Sequence, residues 1–336
     1  MALKLGILDQ SIVFPGQTAA DALHNTVKLA QLAESLGYER FWVSEHHDSD
    51  RLAGSSPEVL IAYLLAQTES IRIGSGGVML QHYQPYKVAE NFNMLATLAP
   101  GRVELGIGRA PGGLPRSTRA LQAAETEKLE NKLEELQLFL RGPAGEDHSL
   151  PGLQASPLPS QPAGVFMLGT SVASAELAAE RGLPYVFALF INNDPEAARQ
   201  AFDTYHRSFN GSAGEKPKAI LALSVIAADT EEEAAAIADD LLSVRVTLAS
   251  GKTVNVSTLE QAEEFARQAG ESYTAEVREA DVTKGTKETV RSRILELGEA
   301  YGVEEFVFTT VVGDYEKRAR SVALLKEAFE EIAVSR

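Results

Sequence analysis

The chain contains no cysteine, one tryptophan, four methionines and six histidines in 336 residues. Without thiols it can form no disulfide, thiolate nucleophile or zinc–thiolate centre. Positive charge is also scarce: 31 Lys and Arg stand against 47 Asp and Glu, a formal net charge of −16. That balance argues against nucleic acid or an anionic membrane as a partner, because phosphate binding draws on an excess of cationic side chains. No apolar run approaches the roughly 18 residues needed to span a bilayer. The opening MALKLGILDQ lacks the basic-then-apolar order of a secretion signal and is interrupted by Asp9, so a cytoplasmic location is expected. The hydrophobic fraction, 44%, suffices for a large core.

What is present is a rhythm of short apolar runs, turns and helical patterns. LKLGIL (3–8) reads as a strand, and Thr18 with Asp21 three residues on starts a helix. Ala22, Leu29, Ala33 and Leu36 lie on one helical face, and Gly37 ends it. Strands are expected at 40–44, 71–77, 102–108, 165–168, 183–190, 218–228 and 304–311. Helices are expected from Pro57, over 88–98, 118–140, 173–181 and 195–209, in the Glu/Ala-rich stretch after 228, and at the end, where Val322, Leu325, Phe329 and Ile332 form a stripe. About eight βα units imply an α/β protein with parallel strands, and repeated right-handed crossovers close into a (β/α)8 TIM barrel. A doubly wound open sheet is the alternative. We expect one domain over 1–336 with two departures. Residues 142–164, dense in Pro, Gly and Ser, read as a surface excursion after the fourth strand. Residues 249–285, between the seventh and eighth strands, read as polar and weakly helical, a candidate lid.

In a barrel, chemistry sits at the C-terminal ends of strands. Four such places carry polar groups. Glu45, His46 and His47 follow the second strand. Adjacent histidines on extended chain point apart and lack zinc-helix spacing, so no metal site is expected. An acid/base role for one histidine competes with a purely structural corner. Ser75, Gly76 and Gly77 end the third strand, where glycines allow close approach of a flat ligand or simply a bulge. GIGRAPGG (106–113) departs from the dinucleotide-binding glycine pattern, but Arg109, Arg116 and Arg119 emerge there and suit an anion. Gly169, Thr170, Ser171 and Ser174 lie where the fifth strand meets a helix start, a place for phosphate or merely for a cap.

Six stretches together, EHH (45–47), LAGSSP (52–57), IRIGSGGVML (71–80), GRVELGIGR (101–109), TRAL (118–121) and residues 171–184, resemble the bacterial luciferase-like flavin monooxygenases in order and spacing. The resemblance implies FMN, delivered in reduced form by a separate flavin reductase, at the C-terminal mouth of the barrel. It implies that Arg109 and Arg119, with Ser171 and Ser174, hold the phosphate, and that Gly169 and Thr170 line the same site. It further implies that Ser75, Gly76 and Gly77 form a bulge behind the ring, with a cis bond between the two glycines. His46 would be the catalytic acid/base, an imidazole titrating near neutrality, with Glu45 beside it. The implied reaction forms a flavin C4a-peroxide with O2 and oxygenates a small organic substrate, and a homodimer through helices at 57–68 and 87–98 is implied as well. The alternatives are a deazaflavin-dependent oxidoreductase and a non-catalytic flavin-binding protein. Thr170 stands where luciferase has Glu, and luciferase's reactive Cys is missing, so light emission is not implied.

Overall fold

The computed structural model describes residues 3–122, 127–211, 215–239 and 241–330. Eight parallel strands close on themselves: β1 (Lys4–Asp9), β2 (Arg40–Val43), β3 (Arg72–Met79), β4 (Val103–Gly108), β5 (Gly164–Gly169), β6 (Tyr185–Ala188), β7 (Ala219–Ala227) and, eighth around the ring, β12 (Glu305–Thr309). Closure runs through Tyr185↔Ala219 between β6 and β7, Glu305↔Ile220 between β12 and β7, and Lys4↔Glu305 between β1 and β12. This is the (β/α)8 barrel, and the open-sheet alternative falls because no edge remains between β6 and β7. A short strand β11 (Thr283–Gly285) adds to β7 from outside the ring.

The helices between strands are α1 (Ala19–Ser35), α2 (Pro57–Gln67), α3 (Pro85–Leu98), α4 (Pro115–Leu121), α5 (Leu129–Arg141), α6 (Val172–Glu180), α7 (Pro195–Ser208), α8 (Glu231–Ala238), α10 (Lys287–Tyr301) and α11 (Tyr315–Glu330). Their starts are written locally. Thr18 and Asp21 form a reciprocal capping box on α1, while Pro57, Pro85, Pro115 and Pro195 occupy first-turn positions where a missing N–H costs nothing. Gly37 ends α1 with φ +72°, a conformation glycine adopts freely. The amphipathic stretch expected over 118–140 is two helices, α4 and α5, with Gln122 extended and 123–126 outside the described residues. Ile332 of the expected terminal stripe likewise lies outside them.

Strand side chains alternate between two cores. Ile7, Phe41, Ile73, Leu105, Phe187 and Phe308 pack outward against the helices. Leu8, Trp42, Phe166, Val186, Ile220 and Val307 fill the barrel interior. Below them, the N-terminal end of the barrel is closed by buried charge. Arg40 is fully buried and pairs with Glu104 (2.8 Å) and with Glu305, while Trp42 Nε1 donates to Glu104 at 2.7 Å. Lys218 reaches Glu305 at 3.1 Å, and burial beside Arg40 pushes its ammonium down to about 8.

Residues 142–163 carry no helix or strand and run along α3 and α5, anchored where Asn93 Nδ2 donates to the Ala155 carbonyl at 2.7 Å. The segment between β7 and β12 differs from the polar, weakly helical insertion expected at 249–285. It begins earlier and contains a three-stranded antiparallel sheet, β8 (Leu242–Leu248), β9 (Thr253–Val256) and β10 (Tyr273–Glu279), with β8 in the centre and α9 (Leu259–Ala269) on one face. Val244, Val246 and Leu248 pack on Ala262, Phe265 and Ala266, giving this insertion its own small core.

Candidate active site at the barrel mouth

All four polar stretches singled out above lie at the C-terminal ends of neighbouring strands β2, β3, β4 and β5. The loop after β2 is fixed to its surroundings by backbone. His46 N–H donates to the Gly54 carbonyl (2.8 Å) and His47 N–H to the Gly112 carbonyl (2.7 Å), so the first histidine is held by its own loop and the second by the loop after β4. Gly112 has φ +65°, and a Cβ there would meet Met79 and the Glu45 carbonyl at 3.1 and 3.2 Å. Only glycine fits both conditions.

The two histidines diverge. His46 turns Nδ1 to the Ser44 hydroxyl at 3.1 Å, and its Nε2 has no partner among the described residues. His47 turns Nε2 to Glu45 Oε1 at 2.7 Å and packs edge-on against His82. Glu45 itself is fully buried. Its carboxylate also accepts the Tyr83 hydroxyl (2.8 Å) and the Met79 N–H (3.1 Å). Three partners and no exposure tie this carboxylate to His47, Tyr83 and the end of β3.

Burial, with the neighbouring His47 adding repulsion, pushes the His46 imidazole down to about 4. In the ligand-free protein it is therefore neutral at pH 7, in contrast to the near-neutral titration expected of an acid/base histidine.

The glycines of β3 let neighbouring groups approach closely. The Gly76–Gly77 peptide is cis and the ladder to β4 shifts register there. A Cβ on Gly76 would lie 2.7 Å from Leu8 and 3.3 Å from Trp42, and one on Gly77 would lie 2.7 Å from the Gly106 carbonyl. Ser75 is fully buried, donating to the Gly106 carbonyl (3.0 Å) and accepting its N–H (3.1 Å). Its side chain thus ties β3 to β4.

Of the three arginines after β4, Arg116 is engaged by Asp48 and Glu264, whereas Arg109 and Arg119 are exposed and have no hydrogen-bond or ion-pair partner among the described residues. Across β5, Ser171 caps α6. Ser174 completes the capping box and also bonds Tyr185 OH at 3.1 Å, so its hydroxyl belongs to the fold, while the exposed Ser171 remains at the helix start. Gly169 is obligatory there, because a Cβ would fall 2.0 Å from Ser174 Oγ. Thr170 offers its carbonyl to Asn192 Nδ2 at 2.9 Å.

Several residues at this rim went unread in the sequence. His82 and Tyr83 follow β3 directly, and Ser44 precedes Glu45; their position after strand ends was the available signal. Asp9, the last residue of β1, is buried with Arg318 and Thr26, and its carbonyl receives the Ser44 N–H at 3.1 Å.

The closed (β/α)8 barrel thus carries, on one rim, close-packed glycines, two guanidinium groups without a partner among the described residues and an imidazole, at the end where barrel enzymes keep their chemistry. The luciferase-like monooxygenase family matches residues 3–305, and the chain belongs to that family. It is 44% identical over 332 residues to the N-acetyl-S-alkylcysteine monooxygenase of Bacillus subtilis (strain 168), covering 97% of this chain and 98% of that one. It is 32% identical to a luciferase-like monooxygenase of Escherichia coli (strain K12), with 98% of each chain covered. Among solved structures, apo-MsnO8 superposes with TM-score 0.79 at 35% identity over 98% of both chains. The oxygenating constituent of 3,6-diketocamphane monooxygenase from Pseudomonas putida, solved with FMN, shares the fold with TM-score 0.72 at 20% identity, again over 98% of both chains. The chain is therefore an oxidoreductase of the monooxygenase kind, which sets aside a non-catalytic binding protein. No described helix is long and apolar enough to cross a membrane.

Proposed function

We propose that this enzyme binds reduced FMN, supplied by a separate reductase, and uses O2 to insert one oxygen atom into a small organic substrate. The observation that carries the reading is the pair of unpartnered guanidinium groups, Arg109 and Arg119, on the rim that also holds His46 and the start of α6. Two such groups in a chain of net charge −16 fit a phosphate, and the exposed Ser171 at a helix N-terminus adds a donor. The flat ring would lie over the strand end at Gly76 and Gly77, where the backbone carries no side chain. Bound there, the reduced flavin would supply the electrons that activate O2. His46 would present its free ring nitrogen to the reacting face, and the insertion around α9 would exclude water. The relative's substrate directs the first trials to N-acetyl-S-alkylcysteines.

The test is to mix the protein with chemically reduced FMN, or with a reduced deazaflavin, under isotope-labelled O2 and candidate thioethers. Labelled oxygen in the product with FMN alone supports the reading. Tighter binding of the deazaflavin, with no O2 consumed, replaces it with the deazaflavin alternative.

A homodimer fits the surface of α2 and α3. Val59 and Tyr63 on α2 are 68% and 54% exposed, and Met94 and Leu98 on α3 are 55% and 74% exposed. Each pair is spaced i,i+4, so two packed helices present one apolar stripe larger than a barrel needs. Leu98→Glu should convert a dimer to a monomer by sedimentation; an unchanged species would remove this interface.

A further inference from the structure

Among the described residues a single group holds His46 Nδ1. Ser44, the first residue after β2, is 5% exposed, and its hydroxyl lies 3.1 Å from His46 Nδ1. Its backbone is pinned from below, the N–H donating to the Asp9 carbonyl at 3.1 Å. Its carbonyl lies 3.1 Å from where a Cβ on Gly54 would stand, so the loop packs tightly against it. Among the described residues the Ser44 hydroxyl has no other hydrogen-bond partner. A buried hydroxyl hydrogen requires an acceptor, and the only one in reach is the Nδ1 lone pair. When Ser44 donates to Nδ1, that nitrogen carries no proton, and in the neutral ring the proton sits on Nε2.

We propose that Ser44 is a positioning residue that fixes His46 as the Nε2–H tautomer, so that this imidazole offers a hydrogen-bond donor to the barrel mouth. The neighbouring ring is handled oppositely: Glu45 takes up His47 Nε2, leaving Nδ1 as the unspent nitrogen of that residue. One short loop thus presents different ring nitrogens from two adjacent histidines. A fixed donor favours an oxygen that carries lone pairs or developing negative charge and disfavours a donor group in the same place. The proposal rests on the reading of the mouth as the flavin site only for its effect on turnover, and the tautomer itself is independent of that reading.

The experiment is long-range proton–nitrogen correlation NMR on the ligand-free protein labelled in its histidine ring nitrogens, with His46 assigned through His46→Gln. The parent should show a protonated Nε2 and a bare Nδ1 for His46. Ser44→Ala should shift that ring to a mixture of tautomers, and Ser44→Thr, which keeps the hydroxyl, should restore it. In turnover with reduced FMN, Ser44→Ala should lower kcat roughly tenfold while leaving the KM for flavin within about twofold. A protonated Nδ1 in the parent overturns the proposal, as does a Ser44→Ala ring that keeps its tautomer or its full kcat. If the parent has the expected tautomer but shows no flavin turnover at all, the functional assignment fails and the Ser44 assignment stands.

Discussion

Arg116 at the start of α4 and Asp48 in the loop after β2 form a two-pronged ion pair across the barrel mouth, with Nη2 2.8 Å from Oδ1. The same arginine lies 3.8 Å from Glu264 on α9, and its backbone N–H donates to Gln268 at 2.9 Å. Leu114, just ahead of α4, packs on the small core of the insertion. Three mouth segments therefore meet at one side chain. Because the pair is largely exposed, Arg116→Ala should leave global stability nearly unchanged. Its effect should appear locally, as faster amide exchange over Leu259–Ala269, read by mass spectrometry. Unchanged exchange there would show that the sheet and Leu114 hold the insertion alone.

Tyr83→Phe removes one of three donors to the buried Glu45 carboxylate without changing the ring's shape. Leaving a buried charge short of a partner costs about 1–3 kcal/mol. Urea denaturation should show that loss with an unchanged slope, and the Glu45→Gln, Tyr83→Phe double variant should recover part of it.

His46 gives the stability a defined pH window. Its folded value is about 4, below the ordinary 6.5 it regains on unfolding. Below pH 6.5 the unfolded chain takes up a proton that the folded chain refuses, so stability is lost as pH falls toward 4 and levels off beneath it. The full loss is on the order of 3 kcal/mol. Chemical denaturation from pH 7 to 4 should show a downward slope that is reduced in His46→Gln. Binding of an anionic ligand beside the ring would raise the value and shrink the slope.

Arg109→Ala should weaken FMN binding by about 1.5–3 kcal/mol, the worth of a charge-assisted contact. Riboflavin, lacking the phosphate, should bind the parent and the variant alike. Equal losses for both flavins would move the phosphate elsewhere on the rim.

At the opposite end of the barrel, Arg40→Ala would take the shared guanidinium from Glu104 and Glu305 and leave them only Arg72 and Lys218, one cation each. Removing one side of a buried ion cluster costs about 3–5 kcal/mol, and thermal unfolding should report it. Arg40→Lys should fall between, because an ammonium cannot span both carboxylates in the same plane.

The barrel was legible because its signals are local. The Thr18–Asp21 cap, the prolines at first turns and the runs of Ile, Val and Leu each sit within a few residues of the element they specify. The three-stranded insertion was not read, although Val244, Val246 and Leu248 alternate in LSVRVTL. Its partner β10 is exposed throughout and lacks any buried alternation, so the sheet could not be inferred from that strand. The site was legible as a set of strand ends but not as a hydrogen-bond network. Nothing in EHH distinguishes the ring that faces Ser44 from the ring that faces Glu45, because the choice depends on Tyr83, Met79 and Gly112 arriving from other strands. The bonds that Ser75 makes to Gly106 and Ser174 to Tyr185 were equally out of reach, because those partners arrive from neighbouring strands.

The charged plug formed by Arg40, Glu104 and Glu305 leaves the barrel with a single doorway. A ligand of the strand ends therefore arrives from the side of the loops that follow the strands, among them the one joined to α9 through Arg116.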